Sequence, residues 1–397
     1  MTDLPSSAPT ILTVLDPRLP ESVAVVSGIR QHAPGWKLVV NLWDLAFTSS
    51  HSDAPTLLAA LTGLPRIHAT IGHLHSNRLM DWAKALGGPV VNLATAWMEP
   101  GVHYVIVDGF LAGKQAGAHL RMRGVRRFAC VTRAYGMFPQ VTRKDEERFG
   151  SQKRVVGFRE EIGDIALFIA GDFSPDRVAP ILTWIRAGGG PAGIFVTSDA
   201  VARQLLTVLE DAGVRVPLDV LVVSSDDEVG MCQACRPTLS SVRMPYQAIG
   251  RRAAEVVTEL LAGGPAPETV LLPPLGVSVR VSSDIVACDD PLTKRCLNWM
   301  HEHSESSIRQ VDEICKAVST SRRALERRFA ATIGISPGEM LRRICLDAAG
   351  RRLLTSDAPV AEIGRRAGFT SATAFDRAFR QVTGSTPLAW RKQQSGR

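Results

Sequence analysis

Near the C-terminus, Ser321, Leu325, Arg327, Phe329, Gly334, Ser336 and Pro337 recur fifty positions later as Ser371, Phe375, Arg377, Phe379, Gly384, Thr386 and Pro387. Self-similarity at a fixed offset marks a duplicated supersecondary unit. Each copy reads as helix, tight turn, helix. In the second copy the turn is Gly368-Phe369-Thr370-Ser371, where glycine tolerates the left-handed backbone of a sharp turn. Ser321 and Ser371 fit as N-caps of the second helix in each unit. Leu325 with Phe329, and Phe375 with Phe379, are spaced four apart and face a shared core. The residues between them point outward and, in the first copy, are mostly arginine. Two such units on one chain imply a reader of double-stranded DNA.

Charge supports that reading. Residues 289–397 carry 19 Lys+Arg against 12 Asp+Glu, whereas residues 1–288 balance at 27 against 27. A basic domain beside a neutral one is the footprint of polyanion binding. Arginine supplies most of the excess, which favours bidentate contact with phosphate or guanine. The N-terminus has no signal-peptide pattern, and no apolar run reaches the ~18–20 residues of a membrane span. Seven irregularly spaced cysteines suit a reducing cytoplasm better than a disulfide framework. Cys232 and Cys235 are the one close pair. Without a second pair or a histidine cluster they define no metal site.

Before residue 285 the pattern changes. Thr10–Leu15, Lys37–Leu42, Ala69–Ile71, Val90–Leu93, Tyr104–Val107, Arg127–Val131, Ala166–Ile169, Gly193–Thr197 and Val220–Val223 read as buried strands. Helical stretches such as Leu111–Met122 and Ala200–Ala212 lie between them. Strand–helix alternation implies parallel sheets covered on both faces, and so many strands imply two α/β lobes. Strand signal stops near Asp289-Asp290-Pro291, so the expected domains are 1–288 and 289–397. Ser336-Pro337-Gly338-Glu339 opens a helix with a capping-box pattern. That helix joins the two units and contains a weak point at Gly350, costing ~1 kcal/mol relative to alanine.

The C-terminal segment resembles the AraC-type DNA-binding domain through 321–329, Gly334-Ile-Ser336-Pro337, Ala361-Glu-Ile363, Ala367-Gly368-Phe369 and 379–387. Ser319 stands in the first turn where that family usually has glycine. The first 285 residues resemble the ligand-binding domain of LacI/GalR-type regulators, itself similar to periplasmic binding proteins. The carrying residues are Asp108 with His119-Leu120, Arg154-Val-Val-Gly157-Phe158, Thr197-Ser198-Asp199 with Ala202, and Val222 through Asp226-Asp227. The DNA-binding headpiece of that family is absent, and Ser198 replaces its usual asparagine. Together the resemblances imply a two-lobed periplasmic-binding-protein-like sensor followed by an all-α double helix-turn-helix domain. Such a fusion regulates transcription in response to a monosaccharide, a pentose such as xylose, by closure of the lobes.

Ligands of such folds bind at carboxyl ends of strands. Asp108, Arg154, Ser198, Asp199 and Asp226 are the candidate effector contacts, with Asp16 from the other lobe. Trp43, Trp97 and Phe138 are candidate stacking partners. Among DNA contacts, Arg323, Glu326 and Arg327 are expected in the major groove, where Arg forks onto guanine and Glu accepts from cytosine. Arg322 and Arg328 are expected to touch phosphate or pair with Glu326. Thr373, Asp376 and Arg377 form a shorter, looser reading surface in the second unit. The implied partners are operator DNA, a small effector, RNA polymerase and a second copy of the chain, with no membrane and no cofactor. A transport binding protein would need an export signal and no basic reader. An enzyme would need a phosphate loop, a nucleophile elbow or a metal motif, and none is found. A regulator of the same architecture sensing a nucleoside or other small polar ligand remains the alternative that pocket chemistry alone separates.

Overall fold

A computed structural model describes residues 8–16, 19–40, 66–74, 77–94, 99–133, 151–170, 173–188, 192–284, 290–304, 310–383, 386–389 and 391. These residues gather into two compact units. The first comprises 1–113, 134–157 and 244–275, and the second 114–133, 158–243 and 276–397.

The first unit is built on β1 (Thr10–Val14), β2 (Lys37–Val40), β3 (Ala69–Gly72), β4 (Val90–Asn92), β5 (His103–Val107) and β11 (Thr269–Leu272). They form one six-stranded sheet in the order β11-β5-β4-β3-β1-β2, parallel throughout. On one face pack α1 (Pro20–His32) and α8 (Tyr246–Leu261) around Ile11, Val25, Ile29, Ile249 and Val257. On the other, α2 (Asn77–Ala85) buries Met80 and Trp82 with Leu12 and Tyr104.

The helices α1 and α8 cross through a reciprocal pair of glycines. A Cβ on Gly28 would stand 2.0 Å from the Gln247 carbonyl oxygen, and one on Gly250 only 1.9 Å from that of Val25. Backbone lies against backbone here, so no side chain can yield.

The second unit holds β6 (Arg127–Arg133), β7 (Ala166–Ala170), β8 (Ala192–Val196), β9 (Val220–Asp226), β10 (Ser240–Arg243) and β12 (Val277–Ser278). The order is β12-β10-β9-β8-β6-β7, with only β12 antiparallel to its neighbour. Around this sheet lie most of α3 (Gly109–Met122), the end of α4 (Ser151–Ile162), and α5 (Pro175–Arg186), α6 (Asp199–Asp211) and α7 (Val229–Ala234). All nine predicted strands are present, within one or two residues at the described ends except β9, which runs three residues further, to Asp226. Three more were not predicted. Of these β10 is the most instructive, because its Ser240 and Ser241 are fully buried.

From residue 290 the described chain is helical: α9 (Pro291–Glu302), α10 (Val311–Ala317), α11 (Arg322–Thr332), α12 (Pro337–Thr355), α13 (Val360–Arg366) and α14 (Ala372–Thr383). These helices belong to the same compact unit as the second sheet.

Gly250→Ala should force α1 and α8 apart. We expect a loss of ~1–3 kcal/mol or more, the range for overpacking a core, read as a lower urea midpoint of the full chain at unchanged m-value.

Candidate functional site

In the first unit, Asp108 follows β5 and caps α3, its carboxylate accepting from the Leu111 amide at 2.9 Å. The stem of Arg154 passes over the next residue, its Cγ 3.5 Å from where a Cβ on Gly109 would stand. Asp108 and Arg154 are thus brought together at the start of α3. Three residues after Arg154, a Cβ on Gly157 would meet the Phe110 carbonyl oxygen at 1.9 Å. The glycine of the Arg-x-x-Gly-Phe element therefore lets α4 lie against the backbone that follows Asp108. Asp16 closes β1 and is 6% exposed, its carbonyl taking the Leu19 amide. Trp43, Trp97 and Phe138 lie outside the described residues.

In the second unit, Ser198, Asp199 and Asp226 stand at the carboxyl ends of the adjacent parallel strands β8 and β9. They differ in what they can offer a ligand. Ser198 caps α6, accepting from Val201. Asp199 is 2% exposed, and both its oxygens are engaged. One accepts from the hydroxyls of Ser224 and Ser241, the other from the Glu228 amide at 2.7 Å and the Cys232 thiol at 3.3 Å. Burial, and then the charge of Asp226, raise the Asp199 pKa despite these donors. Asp226 is only half-buried and carries a φ of 129°. Of the two aspartates, Asp226 is the less buried.

Next to it, Asp227 forms an ion pair with Arg280 at 2.7 Å, with both side chains nearly buried. Asp227 also accepts from Ser278 at 2.6 Å. Asp227 stands out in the sequence only as part of the resemblance, and Arg280 does not stand out. Cys232 and Cys235 are buried, and burial pushes the Cys235 thiol up to about 12. Among the described residues no group of three His, Cys, Asp or Glu side chains could hold a metal ion.

His119, part of the carried-over pattern, turns inward. Its Nε2 lies 2.7 Å from Ser283 Oγ and its Nδ1 3.0 Å from Arg123 Nη1. A guanidinium can only donate, so Nδ1 accepts and the ring is the neutral Nε2–H tautomer. Arg123 Nε also donates to the Ser283 carbonyl. Burial, and then Arg123, push the His119 pKa down to about 3.

The reading surface is more exposed. Ser321 and Ser371 cap α11 and α14, accepting from Ala324 at 3.3 Å and Ala374 at 3.1 Å. Leu325, Phe329, Phe375 and Phe379 are fully buried. A Cβ on Gly364 would come within 2.8 Å of the Phe375 ring, which fixes how closely α13 and α14 pack. Ser319 has φ 54° and Gly368 has φ 87°. Serine therefore occupies the left-handed turn position that glycine fills in the second unit.

Arg322, Arg323, Glu326, Arg327 and Arg328 are all exposed on α11. Arg322 pairs with Glu326 at 3.0 Å and Asp312 at 3.5 Å. Arg328 reaches Asp290 at 2.8 Å and not Glu326. Arg323 and Arg327 form no ion pair among the described residues, so their forks are unengaged. Thr373, Asp376 and Arg377 are likewise exposed on α14. The α12 N-cap Ser336 accepts from Glu339 at 3.2 Å, while the Glu339 carboxylate goes to Arg343 at 2.7 Å.

The fold is a two-sheet α/β domain of periplasmic-binding-protein-like type followed by a helical region with helix-turn-helix units. Residues 118–283 match the "Periplasmic binding protein-like domain" family, and residues 314–393 match the "Helix-turn-helix domain" family. The chain is 28% identical over 301 residues to the xylose operon regulatory protein of Escherichia coli K12, covering 75% of each. It is similar in structure to a xylose-binding transcription activator, xylR, with a TM-score of 0.68 and 21% identity over 98% of this chain and 99% of that one. A periplasmic binding protein/LacI regulator from Alkaliphilus metalliredigens, complexed with D-xylulofuranose, matches 70% of this chain and 99% of its own at TM-score 0.52 and 19% identity.

The depressed His119 pKa has a signed consequence. In the unfolded chain the ring titrates near 6.5, so the unfolded state binds the extra proton first. Stability is full above pH 6.5 and falls as pH drops from 6.5 toward 3, by at most ~1.4 kcal/mol per pH unit. His119→Gln should show a smaller loss of urea-unfolding free energy between pH 7 and pH 5 than the unsubstituted protein. An equal loss in both would remove His119 as its source.

Proposed function

We propose that this protein is a sugar-responsive, sequence-specific transcriptional regulator whose effector is a pentose of the xylose type. The observation that carries the reading is the fusion itself. A binding-protein-like sensor and a double helix-turn-helix reader occur in one chain, in the order found in xylose operon regulatory proteins. The sensor is residues 1–288 and the reader 289–397. The protein binds its effector without turning it over. It acts in the cytoplasm as a dimer that presents four helix-turn-helix units, and RNA polymerase is its further partner.

The residues proposed for effector recognition are Asp108, Arg154, Asp16, Asp226 and Ser198. Carboxylates accept from sugar hydroxyls, and the guanidinium donates a planar fork. Asp199 serves behind Asp226, since its own oxygens are already occupied. In the reader, Arg323, Arg327 and Glu326 read base edges. Arg322 and Arg328 contact phosphate after exchanging their present carboxylate partners for the backbone. Thr373, Asp376 and Arg377 add a weaker second surface, because their side chains offer fewer and shorter groups.

Thermal unfolding against pentoses, hexoses and nucleosides tests the sensor. At a hundred times its dissociation constant, a ligand of the folded state adds ~2.7 kcal/mol. A selective shift with D-xylose, lost in Asp226→Ala, is expected. A shift with nucleosides alone would discard the sugar.

For the reader, Arg327→Ala should cost ~1–3 kcal/mol on a duplex selected from a random pool and relax preference at one base position. Arg328→Ala should lower affinity evenly across sequences and flatten its salt dependence. Equal, sequence-blind losses for both would remove Arg327 from base readout.

A further inference from the structure

Within the second unit, two ties between the reader and the sheet domain stand out among the described residues. At the first, α7 packs on α12, the helix that joins the two helix-turn-helix units. Gly350 of α12 sits at this contact. A Cβ there would stand 3.9 Å from Gln233 Oε1 and 3.8 Å from Phe379 Cε2. At the second, Arg343 of α12 reaches both oxygens of Asp284 at 3.3 Å. Beside these ties opens a cleft of about 1320 Å³, lined from both sides by Arg243, Val277, Arg342 and Gln381 among others. A narrow contact flanked by open space can rearrange where a close-packed interface would resist.

The helix at that contact hangs from a strained strand end. Asp226 and Asp227 have φ of 129° and 56°, a backbone that non-glycine residues adopt only when their surroundings impose it. The surroundings do so here. Arg280 and Ser278 hold the Asp227 carboxylate, and Ser241 Oγ accepts from its amide at 3.0 Å. One residue further on, the Glu228 amide and then the Cys232 thiol of α7 both donate to Asp199. The charge of Asp226 bears on that same Asp199 carboxylate. Whatever engages Asp226 therefore acts, within three residues of chain and through one shared carboxylate, on the seat of α7.

We propose that the Asp226–Asp227 turn, α7 and the Gln233–Gly350 contact form the route by which effector occupancy reaches α12 and alters the setting of the two helix-turn-helix units. Gly350 leaves α12 locally weak at this contact, and a Cβ there would lie at ordinary van der Waals distance from Gln233 and Phe379, so only a larger side chain would displace them. The route rests on the reading of Asp226 as an effector contact.

Amide hydrogen exchange of the full chain tests the route without any sugar. Asp226→Gly releases the left-handed constraint and removes the charge facing Asp199. It should change exchange in residues 346–353 of α12 by about fivefold or more, the lower end of typical allosteric coupling. Gly350→Leu pries the contact open from the reader side. In that background the same loop substitution should move α12 exchange by less than about twofold. Gln233→Ala, which removes the contact from the sensor side, repeats the test should Gly350→Leu fail to fold. An α12 that ignores Asp226→Gly would overturn the route, as would a response undiminished in both contact variants. Because these arms use substitutions only, they are read independently of the sugar-shift experiment. A missing xylose shift beside an intact α12 response discards the pentose and keeps the route.

Discussion

One buried carboxylate organises the carboxyl edge of the second sheet. Asp199 begins α6, accepts from serines on β9 and β10, and holds the first turn of α7 through an amide and a thiol. Burying a charge is costly unless every lone pair finds a donor, and here four donors converge. Asp226 adds a further negative charge at that edge, which raises the Asp199 pKa beyond what burial does. The arrangement also fixes where α7 sits, and therefore where α12 and the two reading units sit. Stability and signalling draw on the same few hydrogen bonds.

The reader follows a simpler logic. Two copies of a capped helix pair place Leu325 and Phe329, or Phe375 and Phe379, in a common core and leave the opposite face to the solvent. In the first copy that face carries five outward charged positions from Arg322 to Arg328, interrupted only by Ala324 and Leu325. Two of its arginines already have carboxylate partners, which sets them apart from Arg323 and Arg327. Exposed ion pairs of this kind contribute little to stability, so exchanging a carboxylate for a phosphate costs the fold little. Only the unengaged forks need no exchange to meet a base.

Much of this architecture is legible in the chain's residues alone. The strands β1 to β9 announce themselves as apolar runs, and both N-cap serines follow from their place before a helical stripe. Three features stay hidden for physical reasons. Strand β10 is Ser-Ser-Val-Arg, buried not by apolarity but because its hydroxyls bond Asp199 and the Arg280 carbonyl, so no hydropathy pattern betrays it. The Asp227–Arg280 pair joins residues 53 positions apart, and pairings over such distances leave no local signal. Gly28 and Gly250 look ordinary in isolation, and only the crossing of α1 and α8 gives them meaning. The resemblance placed Asp199 among effector contacts together with Asp226. The structure separates their surroundings, since one is saturated and buried while the other stands at a strained, half-open strand end. The end of the strand signal placed a boundary near residue 289, and the helices beyond it share a compact unit with the second sheet.

The central claim is that sensor and reader are thermodynamically one system. Reciprocity tests it most directly. D-xylose binding would be measured with and without a saturating duplex selected by the full chain, and duplex binding with and without saturating D-xylose. The account predicts that each ligand changes the other's dissociation constant by the same factor, about 5- to 150-fold. Two bindings that proceed side by side with no mutual effect would contradict it.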